Sequence, residues 1–355
     1  MIDFIPLSSY EFFYNCLVGF LISLLAAYSF VNSNFAYRPA TGLRILTFMF
    51  FVIVWLLLGL RPISYTFGDM GNYNRVFEGI KGGGETPNTD VLFHWLMKFC
   101  VDYLNANWFF FICLTVYIVP YYVALKRWFQ SNWIWPFALM VALFSFYAFG
   151  VNGIRNGMAT SVFLLGLAYK GPTRWLLFLA AFSLHASLVL PIAAVILFTK
   201  FKNINYYVYG WLACLVITLA VPGIGSLLGG TGLFDEKLNN YLDLDMSKAG
   251  SGRSGFRLDF LLFGLLPIVI GLFYRFKLKF HDPVYNEILA IYITANAFWL
   301  LVIRIPFSNR LAYLSWFLYG LVVAYPLIKA TGLRFANRYY AMLLIGFFTF
   351  SVTFF

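Results

Sequence analysis

The stretch LRILTFMFFVIVWLLLGL, residues 43–60, decides the fold. It is an apolar run of bilayer length, because a hydrocarbon core of about 30 Å takes about 20 apolar residues as a helix. The chain then turns polar at Arg61-Pro62 and runs on through Gly68-Asp69-Met70-Gly71-Asn72-Tyr73. Comparable runs recur at 12–31, 106–125, 133–149, 154–170, 174–199, 206–228, 258–275, 285–303, 308–330 and 339–355. The expectation is an all-α, polytopic membrane helix bundle of about 11–12 crossings, with residues 1–355 as a single integral membrane domain.

Composition points the same way. The chain is 62% hydrophobic and 11% charged, whereas a soluble globule is nearer half apolar and a quarter charged. Its 21% aromatic content suits buried helix contacts and interfacial belts. The net charge of +11 is distributed over loops, without a long basic tail or nucleic-acid motif, so no nucleic acid is expected as a partner. Asp3 and Glu11 precede 12–31 in place of a basic leader, which predicts a retained span rather than a signal peptide. Cys16, Cys100, Cys113 and Cys214 have no paired spacing and read as packing residues. Three scattered histidines form no metal constellation, and no metal or other cofactor is expected.

Basic loops set the topology. They are Arg38/Arg44, Lys126/Arg127, Lys170/Arg174, Lys200/Lys202, Arg275/Lys277/Lys279 and Lys329/Arg334/Arg338. All fall inside, with the N-terminus outside, if 174–199 goes out and comes back near His185, with Pro191 following. Two such short helices are tolerated at membrane depth where protein surrounds them. Two long external loops follow, 61–105 and 229–256. Within the first, Leu92, Trp95, Leu96, Phe99 and Tyr103 recur at helical spacing, which predicts an interfacial amphipathic helix over 91–104. Gly, Ser and Asp in the second suit a gate. Asp282-Pro283 reads as an N-cap followed by proline at the first helical position.

Arg155, Arg257, Arg304 and Arg310 then lie at span ends on the external face, against the positive-inside bias. An anionic ligand would repay their cost, and a guanidinium fork fits phosphate oxygens better than a lysine does. For Arg155 the plain alternative is a structural pair with an acid or with carbonyl groups. For the others it is interfacial anchoring. Asp69 fits a general base or a group that orients a sugar hydroxyl, or else a helix cap or an ion pair with Arg61 or Arg75. His185 fits a base that accepts a hydroxyl proton, although a lone histidine on an apolar segment is more often a packing residue. The acid-x-acid triplet Asp243-Leu244-Asp245 lacks any nucleotide-binding α/β pattern around it.

Five short motifs together carry a resemblance. They are Arg61 with Gly68-Asp69 and Tyr73; Asn152 with Arg155; Phe182 to Ser187 around His185; Phe256-Arg257-Leu258-Asp259-Phe260 with Pro267; and Arg304 to Tyr313. The chain resembles the Wzy-type polysaccharide polymerases of the EpsG-like group over most of its length, departing from the usual pattern at Met70-Gly71-Asn72. The resemblance implies a GT-C-like membrane glycosyltransferase that polymerises undecaprenyl-pyrophosphate-linked repeat units into O-antigen or exopolysaccharide, at the outer face of a bacterial cytoplasmic membrane. It implies Arg155, Arg257 and Arg310, with Arg61 and Arg304, for the pyrophosphate. His185 or Asp69 is the base, Tyr73 and Asn152 are candidate sugar-binding residues, and no metal takes part. Expected partners are the lipid-linked glycan, membrane lipids and a chain-length regulator protein. Competing readings are an O-antigen ligase, a lipid-linked oligosaccharide flippase and a sugar-modifying acyltransferase.

Overall fold

The computed structural model describes residues 4–32, 39–221, 224, 256–305, 308–330 and 336–354, and every regular element among them is helical. The second long loop up to residue 255 lies outside the described residues, with Arg253 and the Asp243-Leu244-Asp245 triplet, as do Arg38 and Arg334. Among the described residues, six helical stretches are long and apolar enough to cross a membrane: Leu7–Val31, Thr41–Gly59, Ala106–Val141, Leu258–Lys277, Pro283–Leu301 and Arg310–Lys329. Three shorter apolar helices accompany them, Pro172–Leu184, Ala186–Lys200 and Ile204–Ala220. The chain is a multi-pass helical membrane protein.

The described residues pack as two units, Met1–Leu188 with Leu327–Phe355, and Val189–Pro326. The first holds α1 (Tyr10–Val31), α2 (Thr41–Gly59), α3 (Asp69–Lys81), α4 (Val91–Tyr103), α5 (Ala106–Phe129), α6 (Ile134–Val141), α7 (Phe144–Val151), α8 (Ile154–Leu167) and α9 (Pro172–Leu184). The second holds α10 (Val189–Lys200), α11 (Ile204–Ala220), α12 (Leu258–Leu272), α13 (Pro283–Leu301), α14 (Asn309–Trp316) and most of α15 (Tyr319–Lys329). The last helix, α16 (Ala336–Phe354), returns to the first unit and packs on α1.

In the first unit α8 lies against both α5 and α9. Residues 133–149, expected as one span, divide into α6 and α7 at Ala142-Leu143. The break is stable because the amide freed at Phe144 donates to Ser351 Oγ of α16, at 3.1 Å; an unpaired backbone group at membrane depth would cost several kcal/mol, of the order of 2–7. Tyr14 and Tyr340 donate their hydroxyls to the α6 carbonyls of Val141 and Trp135, at 2.9 and 2.8 Å.

The loop 61–105 is more structured than expected. It holds α4 at nearly the expected bounds, and also α3, which was not expected. Met70, Tyr73, Phe77 and Ile80 give α3 a buried face at i, i+3, i+4 spacing, and that packing outweighs the glycines. On α4 the buried face is Phe93, His94, Met97 and Cys100. The apolar stripe read from the sequence turns outward, with Trp95, Phe99 and Tyr103 exposed and their rings in succession at 6.0 and 5.1 Å.

The stretch 174–199 breaks where expected. Helix α9 ends at His185, whose backbone is extended, and α10 begins at Val189. At about 1.5 Å per residue neither half spans a hydrocarbon core. In the second unit α13 is central, packing on α10, α11, α12 and α14. Asp282 caps it by accepting from the Tyr285 amide at 2.9 Å, with Pro283 opening the helix as expected. Asn296 accepts from Trp211 Nε1 at 2.8 Å, which ties α13 to α11 inside an apolar core.

Candidate functional site

The centre of the first unit is an aspartate that composition and motif did not single out. Asp90 precedes α4, in a left-handed conformation with φ of 48°. Its side chain does not cap its own helix. It turns inward, with 2% of its surface exposed, and takes three donors. The Ala186 amide donates to Oδ1 at 2.9 Å, His185 Nδ1 lies 3.3 Å from Oδ2, and Arg155 Nη1 donates to Oδ2. The break between α9 and α10 makes this possible, because the extended His185 leaves both its ring and the next amide available to Asp90.

His94 holds the Asp90 turn from the other side. Its Nδ1 hydrogen-bonds the Thr89 carbonyl, while its own amide donates to the Asp90 carbonyl at 3.2 Å. Burial pushes the His94 ring below its ordinary pKa, more than the Thr89 carbonyl raises it. The ring therefore stays neutral and donates from Nδ1.

Arg155, in the first turn of α8, is 13% exposed. Its Nε donates to Tyr73 Oη at 2.9 Å, and its guanidinium lies 5.3 Å from the Tyr73 ring centre and 5.7 Å from that of Phe93. One turn before Tyr73 on the same face of α3 stands Asp69. Its amide donates to Asn152 Oδ1 at 2.9 Å. Gly68 permits this approach: its φ is +61°, and a Cβ there would overlap the Asn152 carboxamide. Thus Arg155 and His185, separate in sequence, meet on Asp90, with Tyr73 held by Arg155, while Asp69 and Asn152 pair with each other at the start of the same α3 helix. Tyr73 and Asn152, read as sugar-binding candidates, are engaged within the protein, one by Arg155 and the other by the Asp69 amide.

Opposing forces act on Asp90. Burial pushes its pKa up, but the hydrogen bond and charge of His185, the charge of Arg155 and the Ala186 amide pull it down further. The net direction is downward, so the carboxylate is ionised at neutral pH. A ring nitrogen facing that carboxylate carries the proton, which leaves His185 Nε2 as the basic atom. The carboxylate also stabilises the imidazolium that forms when Nε2 takes a proton.

The remaining arginines have other surroundings. Arg61 is 3% exposed and donates to the Leu58 carbonyl and, at 3.3 Å, to the Val151 carbonyl, where α2 and α7 end. Burial lowers its pKa to about 10, which keeps it charged at neutral pH. In the second unit, Arg257 forks onto Asp259, with Nε to Oδ1 at 2.9 Å, and stacks 3.7 Å from the Phe260 ring centre. Arg304 stacks 5.3 Å from the Phe256 ring centre, and Arg310 is exposed at the start of α14.

A multi-pass helical chain with an ionised aspartate orienting a histidine beside an arginine is a membrane protein equipped for proton transfer. The EpsG family model matches residues 44–355, and the chain belongs to that family. It is therefore a membrane protein of the polysaccharide-polymerase type, a glycosyltransferase in the broad sense. No curated protein and no solved structure matches it.

Proposed function

We propose that the chain joins undecaprenyl-pyrophosphate-linked oligosaccharide units into O-antigen or exopolysaccharide at the outer face of a bacterial cytoplasmic membrane, as a GT-C-class transferase. The observation that carries the chemistry is the Asp90–His185 couple. His185 Nε2 removes the proton from the acceptor sugar hydroxyl as its oxygen bonds to the anomeric carbon of the donor glycan. The bond from that carbon to the lipid pyrophosphate breaks, and the pyrophosphate departs with the electron pair. Asp90 holds the imidazole in its productive tautomer and balances the charge it gains. This favours His185 over Asp69 as the base, which leaves Asp69 the role of orienting a hydroxyl.

Charge developing on the leaving oxygen calls for cations. Arg155 is the candidate in the first unit. In the second, Arg304, Arg310 and Arg257 are the candidates, Arg257 in competition with Asp259. Arg61 supports the fold through its two carbonyl bonds. A chain-length regulator protein is a further proposed partner. The test is lengthening of lipid-linked repeat units by purified protein. Wild type forms a ladder of longer chains, and His185→Ala forms none at equal amounts of inserted protein. A ladder unchanged by His185→Ala would remove the base from this scheme.

A further inference from the structure

A groove between α3 and the start of α5 has a lining suited to hydroxylated chains. One hollow of about 350 Å³ is bounded by Asn74, Phe77, Glu78 and Lys81 of α3 and by Asn105 and Asn107 at the start of α5. A second of about 230 Å³ shares Ile63, Asn105 and Asn107 with it and runs on to Arg61, Trp108 and Phe111. The larger hollow is of the size of small-ligand sites, about 300–1,000 Å³.

The lining argues for its occupant. Each carboxamide presents a donor and an acceptor together, the combination a sugar hydroxyl uses in return. Asn105 Oδ1 already accepts from the Trp108 amide at 3.1 Å, so its amide hydrogens are the groups it offers. Asn74 Oδ1 is buried without a hydrogen-bond partner among the described residues. Such an acceptor costs about 1–3 kcal/mol unless a donor reaches it. Trp108, 51% exposed, adds an aromatic surface for the C–H face of a sugar ring. A lipid tail would strand the carboxamides, and Glu78 opposes a purely anionic ligand.

The groove also leads to the chemistry. Arg61 at one end holds the carbonyl of Val151, next to the Asn152 that fixes the Asp69 amide. Helix α3 carries Tyr73 toward Arg155 and Asn74 into the hollow. We infer that this groove between α3 and the start of α5 is a glycan-binding subsite that holds an oligosaccharide segment beside the Asp90 centre. It rests on the polymerase reading for the presence of a glycan, while its lining stands independently.

The test uses detergent-purified full-length protein on an array of immobilised bacterial oligosaccharides, with Asn74→Leu and Asn107→Leu as variants. Asn107 is exposed in the first turn of α5, so its variant keeps the fold if the Asn74 variant does not. Wild type is expected to retain oligosaccharides, and each folded variant to bind at least tenfold more weakly. Equal binding by the variants, or no binding by wild type, would overturn the subsite. Lengthening of lipid-linked units by wild type is scored separately. Binding that depends on Asn74 and Asn107, in a protein that lengthens nothing, keeps the groove and removes the polymerase reading.

Discussion

Asp90 serves two partners at once. The hydrogen bond from His185 and the charge of Arg155 both favour the ionised carboxylate, which in turn holds the imidazole in one tautomer. Asp90→Asn preserves shape but loses both charge effects and permits the wrong imidazole tautomer. By analogy with an aspartate that orients a catalytic histidine, turnover should fall by about four orders of magnitude. Leaving Arg155 buried without its counterion should also cost about 3–5 kcal/mol of stability. Rates and unfolding midpoints of the inserted variant measure the two effects separately. Stability should follow pH with a definite sign. Because the folded pKa of Asp90 is depressed, its contribution is present above the ordinary value of about 3.9 and is lost as pH falls through the depressed one. The gap in unfolding midpoint between wild type and Asp90→Asn should therefore close below about pH 4; a gap that widens on acidification contradicts the assignment. Arg155 and His185 were legible in the sequence as an arginine at the end of an apolar run and a histidine at a break that the loop charges called for. Asp90 was not, because an aspartate before an amphipathic run is already explained as a helix cap. The alternative reading of Arg155, as the partner of an acid, was the signal that pointed toward it.

The elements explain why the site is held so closely. Helix α3 starts at a backbone conformation that glycine alone adopts readily, and the Asn152 carboxamide fills the space a side chain would need. Gly68→Ala must strain the turn, at about 1–3 kcal/mol, and displace Asn152 from the Asp69 amide. The expected result is a fall in turnover with normal membrane insertion, while Gly79→Ala, which meets open space on the same helix, leaves both unchanged. Equal activity in the two variants would mean that the start of α3 does not position the site. The glycines obscured this helix in the sequence, since Gly68 and Gly71 suit tight backbone paths, whereas burial of Met70, Tyr73, Phe77 and Ile80 decides the matter in three dimensions. The break at His185 was legible because the charge of the flanking loops demanded it. The division of α6 from α7 was not, since the group that satisfies it, Ser351, lies 207 residues away along the chain.

For the whole molecule, the sequence established a polytopic helical protein, and its short motifs pointed to the family. The reason is physical. Spans follow from local hydropathy, while a site depends on which distant residues meet. The cationic reading illustrates the limit, because a guanidinium at the end of an apolar run is visible in the sequence but its counterion is not. Arg155 and Arg257 have carboxylates at hand, Asp90 and Asp259. A pyrophosphate ligand must therefore compete with an internal anion at these positions, whereas Arg304 stacks on Phe256 and Arg310 is exposed at the start of α14. Lysine retains the charge but loses the bidentate fork. If Arg310 and Arg304 meet the departing pyrophosphate, Arg310→Lys and Arg304→Lys should slow lengthening by about one to two orders of magnitude, the scale of one or two charge-assisted hydrogen bonds in a transition state at about 1.5–3 kcal/mol each. Added chelator should leave the wild-type rate unchanged, because arginine rather than a divalent ion then answers the developing charge. Arginine variants that match wild type, together with a rate that collapses in chelator and returns with magnesium, would shift that role to a metal and leave His185 and Asp90 with the proton alone.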